Sequence, residues 1–161
     1  MINPDIFREY DIRGIVGKDL DRSFAVLLGR AVASFIKKIN PKARCLSVGR
    51  DVRHSSADLA SGIIEGIIST GIDVYDIGVC PTPLQYFSLY HLNIDGGVMV
   101  TGSHNPPEYN GFKISVGKNT IYGNDIQKLK EMIAGKEWAD SDKNGKVENY
   151  NIIDAYKSYM L

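Results

Sequence analysis

GGVMV (Gly96–Val100), followed without a break by TGSHNPPEYNGFK (Thr101–Lys113), is the stretch on which the fold turns. The first five residues are apolar on both faces of any strand they form, and such a run reads as a central strand buried from both sides. A long turn follows. Gly102 lets the backbone bend, Asn105-Pro106-Pro107 and Asn110-Gly111 are turn formers, and Lys113 returns a positive charge. Phe112–Val116 alternates as a further strand. Because no helix separates it from its predecessor, it is expected to run antiparallel.

Working outward, strands alternate with helices. Apolar residues at helical spacing predict a helix over Arg22–Ile39, with Pro41 beyond its end. Cys45–Val48 is a short strand, and the loop GRDVRHSS (Gly49–Ser56) leads into a helix capped by Ser55 or Ser56 and running to Thr70. Ile72–Ile77 alternates as a strand. Thr82 as N-cap and Pro83 at the first helical position announce a helix to Leu92. Asn124 caps a last helix, Asp125–Ala134, closed by Gly135. The expected fold is α/β: a three-layer domain with a mixed, mostly parallel sheet of about four strands covered by helices on both faces. Residues 1–20 show no period and read as an arm. Residues 136–149 (KEWADSDKNGKVEN) read as a linker, and NIIDAYKSYML (151–161) as an amphipathic helix whose apolar face packs either back on this domain or, the preferred reading, in a second domain that it opens.

Composition sets bounds. The chain has 161 residues, 43% of them hydrophobic and 24% charged, with a formal net charge of zero. That size holds a substantial core. There is no overall basic field to gather nucleic acid or anionic membrane. No apolar run reaches the ~20 residues of a membrane span, and the N-terminus resembles neither a signal nor a transit peptide. Cys45 and Cys80 have no paired ligand spacing and read as buried thiols of a reduced cytoplasm, with a disulfide as the alternative.

The chemistry points to the turn after the central strand, since open α/β sheets bind ligands beyond the C-terminal ends of their strands. Ser103 offers a nucleophilic hydroxyl, and His104 and Asn105 offer hydrogen bonds. On residues alone, a plain turn explains the stretch equally well. Arg50, Asp51 and Arg53 read either as an intradomain salt bridge, the preferred reading, or as groups that order the Ser103 loop. His54 reads as an exposed or capping residue, His91 as a helix C-terminal cation without function, Tyr86, Phe87 and Tyr90 as helix packing, and Trp138 as a pin for the linker.

TGSHNPPEYNGFK resembles the signature of the alpha-D-phosphohexomutase family, in particular its bacterial phosphomannomutase/phosphoglucomutase group. FREYDIRGIVG (7–17), GRDVRHSS (49–56) and GIDVYDIGVCPTP (71–83) resemble the same family in the same order, so the likeness spans residues 5 to about 135. It implies that Ser103 carries a phosphoryl group in the resting enzyme. It implies that Lys113 contacts that group and helps proton transfer, that His104 and Asn105 line the loop, and that Tyr10 and Arg13 approach from the N-terminal arm. Ser103, Lys113, Arg13 and His104 are thereby the expected catalytic residues, and Tyr10, Arg13, Asn105 and Lys113 the expected substrate contacts.

The implied cofactor is Mg²⁺, bound to the phosphate on Ser103 and otherwise by a D-G-D-x-D loop of a second domain. The implied intermediate is a hexose 1,6-bisphosphate. The metal loop and the sugar- and phosphate-selecting loops of the family's third and fourth domains have no counterpart in this sequence. The expectation is therefore a catalytic-serine domain over 1–135, a linker over 136–150, and the start of a second-domain helix over 151–161. The partners expected are hexose phosphates and the remaining domains of the same polypeptide, without nucleic acid or membrane. Alone the chain is expected to be inactive. The alternatives are a non-catalytic sugar-phosphate-binding module and, more weakly, a serine hydrolase. The hydrolase is disfavoured because G-S-H-N-P is not the G-x-S-x-G elbow, and a His directly after its Ser seldom has the geometry to be its base.

Overall fold

The computed structural model describes residues 1–161. After a 3-10 turn at Pro4–Ile6, the order is β1 (Ile12–Ile15), α1 (Arg22–Ile39), β2 (Cys45–Arg50), α2 (Ser56–Ser69), β3 (Asp73–Val79), α3 (Thr82–His91), β4 (Gly96–Val100), β5 (Tyr109–Val116), β6 (Asn119–Thr120), α4 (Asn124–Gly135), β7 (Val147–Asn149) and α5 (Ile152–Met160). The GGVMV run is β4, buried at every position. The sheet is mixed, with order β1-β5-β4-β2-β3-β7 and β6 on β5. Strands β4, β2, β3 and β7 are mutually parallel. As expected, β5 runs antiparallel to β4, and it also pairs antiparallel with β1 and β6.

The sheet has seven strands rather than about four. The added ones are short or sit at its edges, where periodicity has too few residues to register. Two lie in segments read as irregular. In 1–20, the chain pairs Ile12–Ile15 with β5 and buries Ile6, Phe7, Ile12 and Leu20 in the main core. The Asp19 carboxylate fixes the turn there, accepting from Ile15 N (3.0 Å) and Asn3 Nδ2 (3.0 Å). In 136–150, Val147–Asn149 pairs with Val74–Asp76 of β3, and Arg30 lies over the Trp138 ring.

Two apolar layers sandwich the sheet, as the pleat requires. Val98 and Val100 of β4 face the main core with α1, α2 and α4, while Met99 faces the opposite side with Leu84 of α3 and Ile152 of α5. Register shifts between β2 and β3, leaving Ile77 unpaired between Asp76 and Gly78. Alternation along β3 puts Ile77, like Tyr75, on the α3 side, whereas Val74 faces the main core. On the α1–α2 contact, a Cβ at Gly29 or Gly66 would overlap the other helix's backbone, so those glycines let the two helices touch main chain to main chain. Helix α5 lies against α3. Ile152 is fully buried, and Phe87 makes edge and tilted ring contacts with Tyr156 and Tyr159.

Helix starts differ in detail from the sequence reading. Thr82 is the first residue of α3 and Pro81 the N-cap, Gly123 rather than Asn124 is the N-cap of α4, and Lys136 takes the left-handed C-cap (φ 51°). Ser55 is the N-cap of α2 but makes no side-chain capping bond. Asp51 binds the start of that helix instead.

Candidate phosphoryl-transfer site

The chain leaves β2 toward β3 on one side and later returns through β4 on the other, so the strand order reverses at β2–β4. At such a switch point the loops beyond the strand ends diverge and open a crevice. Here the loops after Arg50, Val79 and Val100 border an open cleft of ≈ 510 Å³ whose walls include Asp51, Arg53, Cys80, Thr101, Ser103 and Asn105.

Asp51 joins the two central loops. Its Oδ2 accepts from Thr101 Oγ1 (2.9 Å) and Gly102 N (3.1 Å), and its Oδ1 accepts from Arg53 N (3.1 Å) and from Ser56 Oγ. Burial alone would raise its pKa. The bonds from Ser56, Arg53, Thr101 and Gly102 outweigh burial and hold it below the ordinary carboxylate value.

Arg53 clasps the Ser103 loop. Its Nη1 donates to Pro106 O (2.7 Å) and Tyr109 O (3.0 Å), its Nη2 to Ser103 O (3.0 Å) and Asn105 O (2.7 Å), and its Nε lies 3.3 Å from Asp51 Oδ2. Both readings of this segment therefore hold: Asp51–Arg53 and Arg50–Asp76 (3.1 Å) are intradomain ion pairs, and the first also orders the loop.

Ser103 is exposed and has a left-handed backbone, φ 55°. A non-glycine residue in that region is strained and persists only where its surroundings hold it. Its N–H donates to Thr101 Oγ1 (2.9 Å), and its Oγ lies 3.3 Å from His104 Nδ1. Adjacency in sequence thus does not keep this imidazole from the hydroxyl. Asn105 spends its amide on the loop, donating from Nδ2 to Gly102 O (2.9 Å). His54 is exposed, as read. Cys45 and Cys80 are free thiols, and burial pushes the pKa of each up to about 11.

The cations form a second group. Arg13 on β1 and Lys113 on β5 converge on Asp11, 8% exposed, with Arg13 Nη2 at 2.6 Å and Lys113 Nζ at 3.9 Å from its Oδ2. Asp11 went unremarked in the sequence analysis. No signal marked it, because residues 1–20 show no strand period and Asp11 lies just before β1. The two groups meet across β5: Arg13 pairs with Gly111, and Thr101 N donates to Gly111 O (2.9 Å). Tyr10, 70% exposed, stands in the turn before β1, and neither it, Arg13 nor Lys113 lines the cleft. The structure therefore brings Ser103, His104 and Asn105 together and Arg13 with Lys113.

A divalent metal finds no complete set of donors here. No group of three or more His, Cys, Asp or Glu side chains is placed to hold one, and the carboxylate nearest Ser103, Asp51, is taken up by its bonds to Ser56, Arg53, Thr101 and Gly102. No helix is long and apolar enough to cross a membrane.

Residues 4–140 match the family model for "Phosphoglucomutase/phosphomannomutase, alpha/beta/alpha domain I". The chain is 40% identical over 160 residues to the phosphoglucomutase of Neisseria gonorrhoeae, covering 99% of this chain and 34% of that protein. It is 42% identical over 151 residues to the phosphomannomutase/phosphoglucomutase of Pseudomonas aeruginosa, covering 94% and 32%. The crystal structure of a phosphoglucomutase/phosphomannomutase family protein from Burkholderia thailandensis superposes with a TM-score of 0.90 at 38% identity, over 97% of this chain and 35% of that one. The chain thus spans about a third of the length of these relatives. With the whole domain matched in both sequence and fold, the chain belongs to the phosphoglucomutase/phosphomannomutase family and carries its α/β/α domain I.

Proposed function

We propose that Ser103 accepts and returns a phosphoryl group in the interconversion of hexose 1-phosphate and hexose 6-phosphate, mannose or glucose. The observation that carries this reading is the geometry of Ser103: a hydroxyl exposed beside the cleft, on a strained left-handed backbone held by Arg53 and Thr101. Strain maintained by surrounding contacts is a feature of functional sites.

In the forward direction the sugar 6-hydroxyl of a hexose 1-phosphate attacks phosphorus on phospho-Ser103. The P–O bond to Ser103 Oγ breaks, the 6-hydroxyl loses its proton, and Ser103 Oγ regains one. The hexose 1,6-bisphosphate turns over in the cleft, its 1-phosphoryl group passes to Ser103, and hexose 6-phosphate leaves. A phosphoserine carries about −1.5 to −2 charges. Lys113 and Arg13 supply positive charge near the developing charge, and Lys113 and His104 are the proton carriers on this chain. Tyr10 and Asn105 are the further substrate contacts in this reading. Mg²⁺, as the charge-neutralising ion of the complete enzyme, needs ligands from outside residues 1–161, so no step is assigned to it here.

In this reading residues 1–135 carry the phosphoserine domain, and the segment after them, held to it through β7 and α5, leads on to the rest of the polypeptide. The remaining loops come from other domains of a longer cytoplasmic polypeptide, and residues 1–161 alone are inactive. The short overlap with the relatives supports that division. The test is conversion of hexose 1-phosphate to 6-phosphate by the polypeptide with its partner domains. Ser103→Ala should abolish it while leaving the melting curve in place. Hexose phosphate binding with no transfer by the unmodified protein would favour a binding module. Ester hydrolysis that persists without any phosphoserine would favour a hydrolase using the Ser103–His104 contact.

A further inference from the structure

Arg53 lies so near Ser103 that it invites assignment as a phosphate ligand, yet its donors are spent. A guanidinium has four terminal N–H groups besides Nε–H, and four loop carbonyls take them. Pro106 O also accepts from Tyr109 N (3.0 Å), and the loop has few other donors for a reason written in the sequence. Pro106 and Pro107 have no N–H, and the turns around them aim the oxygens of Ser103, Asn105, Pro106 and Tyr109 at one point. Gly102 leaves the room: a Cβ there would overlap Arg53 Cζ, Nε and Nη1. Asp51 orients the guanidinium from its far side.

We infer that Arg53 is a positioning residue: it shapes the Ser103 loop by satisfying its carbonyls, keeps Ser103 left-handed, and does not bind the phosphoryl group. The inference rests on the reading of Ser103 as the phosphoryl carrier, but its geometry is tested separately. A charge can be replaced by another charge. A planar fork filling four acceptors cannot be replaced by a lysine ammonium with three donors on one atom.

The experiment is site-resolved amide exchange on the 161-residue chain. The amides to follow are those of Ser103, Asn105 and Tyr109, which are bonded to Thr101 Oγ1, Gly102 O and Pro106 O. Arg53→Ala and Arg53→Lys should both speed these amides by about tenfold, while those of β4 stay slow. The Ser103 HN–Hα coupling should move from its left-handed value to an average one. Added guanidinium ion, but not ammonium ion, should restore both readouts in Arg53→Ala. Gly102→Ala should speed the same amides in the Arg53 protein and do little in Arg53→Ala, a non-additive cycle expected of touching groups. If either Arg53 variant folds poorly, Gly102→Ala alone, which keeps Arg53 in place, still reads the contact. Wild-type exchange in Arg53→Lys, equal rescue by ammonium, or an additive cycle overturns the positioning role. Failure of wild-type Ser103 to take a phosphoryl group overturns the carrier reading instead, and that is read by mass rather than by exchange.

Discussion

At the scale of single residues, strain and charge make separable predictions. Ser103 sits at φ 55°, where a Cβ is unwelcome. Ser103→Gly should therefore stabilise the chain by about 1 kcal/mol in urea melts while removing the phosphoryl acceptor. A loss of stability would mean that the serine side chain holds the loop rather than straining it. Asp11, nearly buried, is the shared counter-charge of Arg13 and Lys113 and leaves the trio with a net positive charge. Asp11→Asn should cost about 1–2 kcal/mol, because it leaves two partly buried cations without their counter-charge. A melt equal to wild type would show that this pairing contributes nothing. Phosphorylation of Ser103 should stabilise wild type more than Lys113→Ala or Arg13→Ala, by about 1 kcal/mol for each cation. Equal stabilisation in all three would place both cations away from the phosphate. Ser103, His104 and Asn105 were legible in sequence because turn chemistry and the family resemblance both marked them. Asp11 and the carbonyl contacts of Arg53 were not, because a carbonyl's direction depends on turn geometry that residue types do not state.

At the scale of elements, the Asp51 carboxylate ties the loop after β2 to the loop after β4 and to the start of α2. Its folded pKa is lowered, so the stability it contributes is fully present above the unfolded value of about 4 and is lost as pH falls through the folded value. Protection of the Gly102 amide, taken against its intrinsic rate at each pH, should fall below about pH 4 in wild type, and should already be low at neutral pH in Asp51→Asn. Parallel pH curves for the two proteins would contradict this. The N-terminal and C-terminal segments mark where pattern reading fell short. Residues 1–20 have no period because only Ile12–Ile15 is strand and the rest are turns, yet their side chains are core. Because β1 is laddered to β5, Arg13→Ala should leave the β1 amides protected rather than loosening an arm. Helix α5 showed its apolar face in sequence but not the surface that takes it, which depends on tertiary placement. That surface includes Phe87 and the pocket filled by Ile152. Ile152→Ala should cost about 2–4 kcal/mol. A cost below about 1 kcal/mol would mean that α5 is not held on α3.

At the scale of the whole molecule, the alternation of strands and helices was enough to state a three-layer α/β domain, because buried central strands and long amphipathic helices carry strong period. Edge strands do not, so the sheet came out wider than read. The switch point between β2 and β4 follows from strand order, which no local signal encodes, and it is strand order that sets Ser103 beside Asp51 and Arg53. The domain encloses two apolar layers of its own, so residues 1–161 should unfold in one cooperative transition. The most direct test of the account is peptide mass spectrometry on the protein after incubation with a hexose 1,6-bisphosphate. The account predicts a single phosphoryl group, on Ser103. A phosphoryl group on any other residue with Ser103 bare would contradict it.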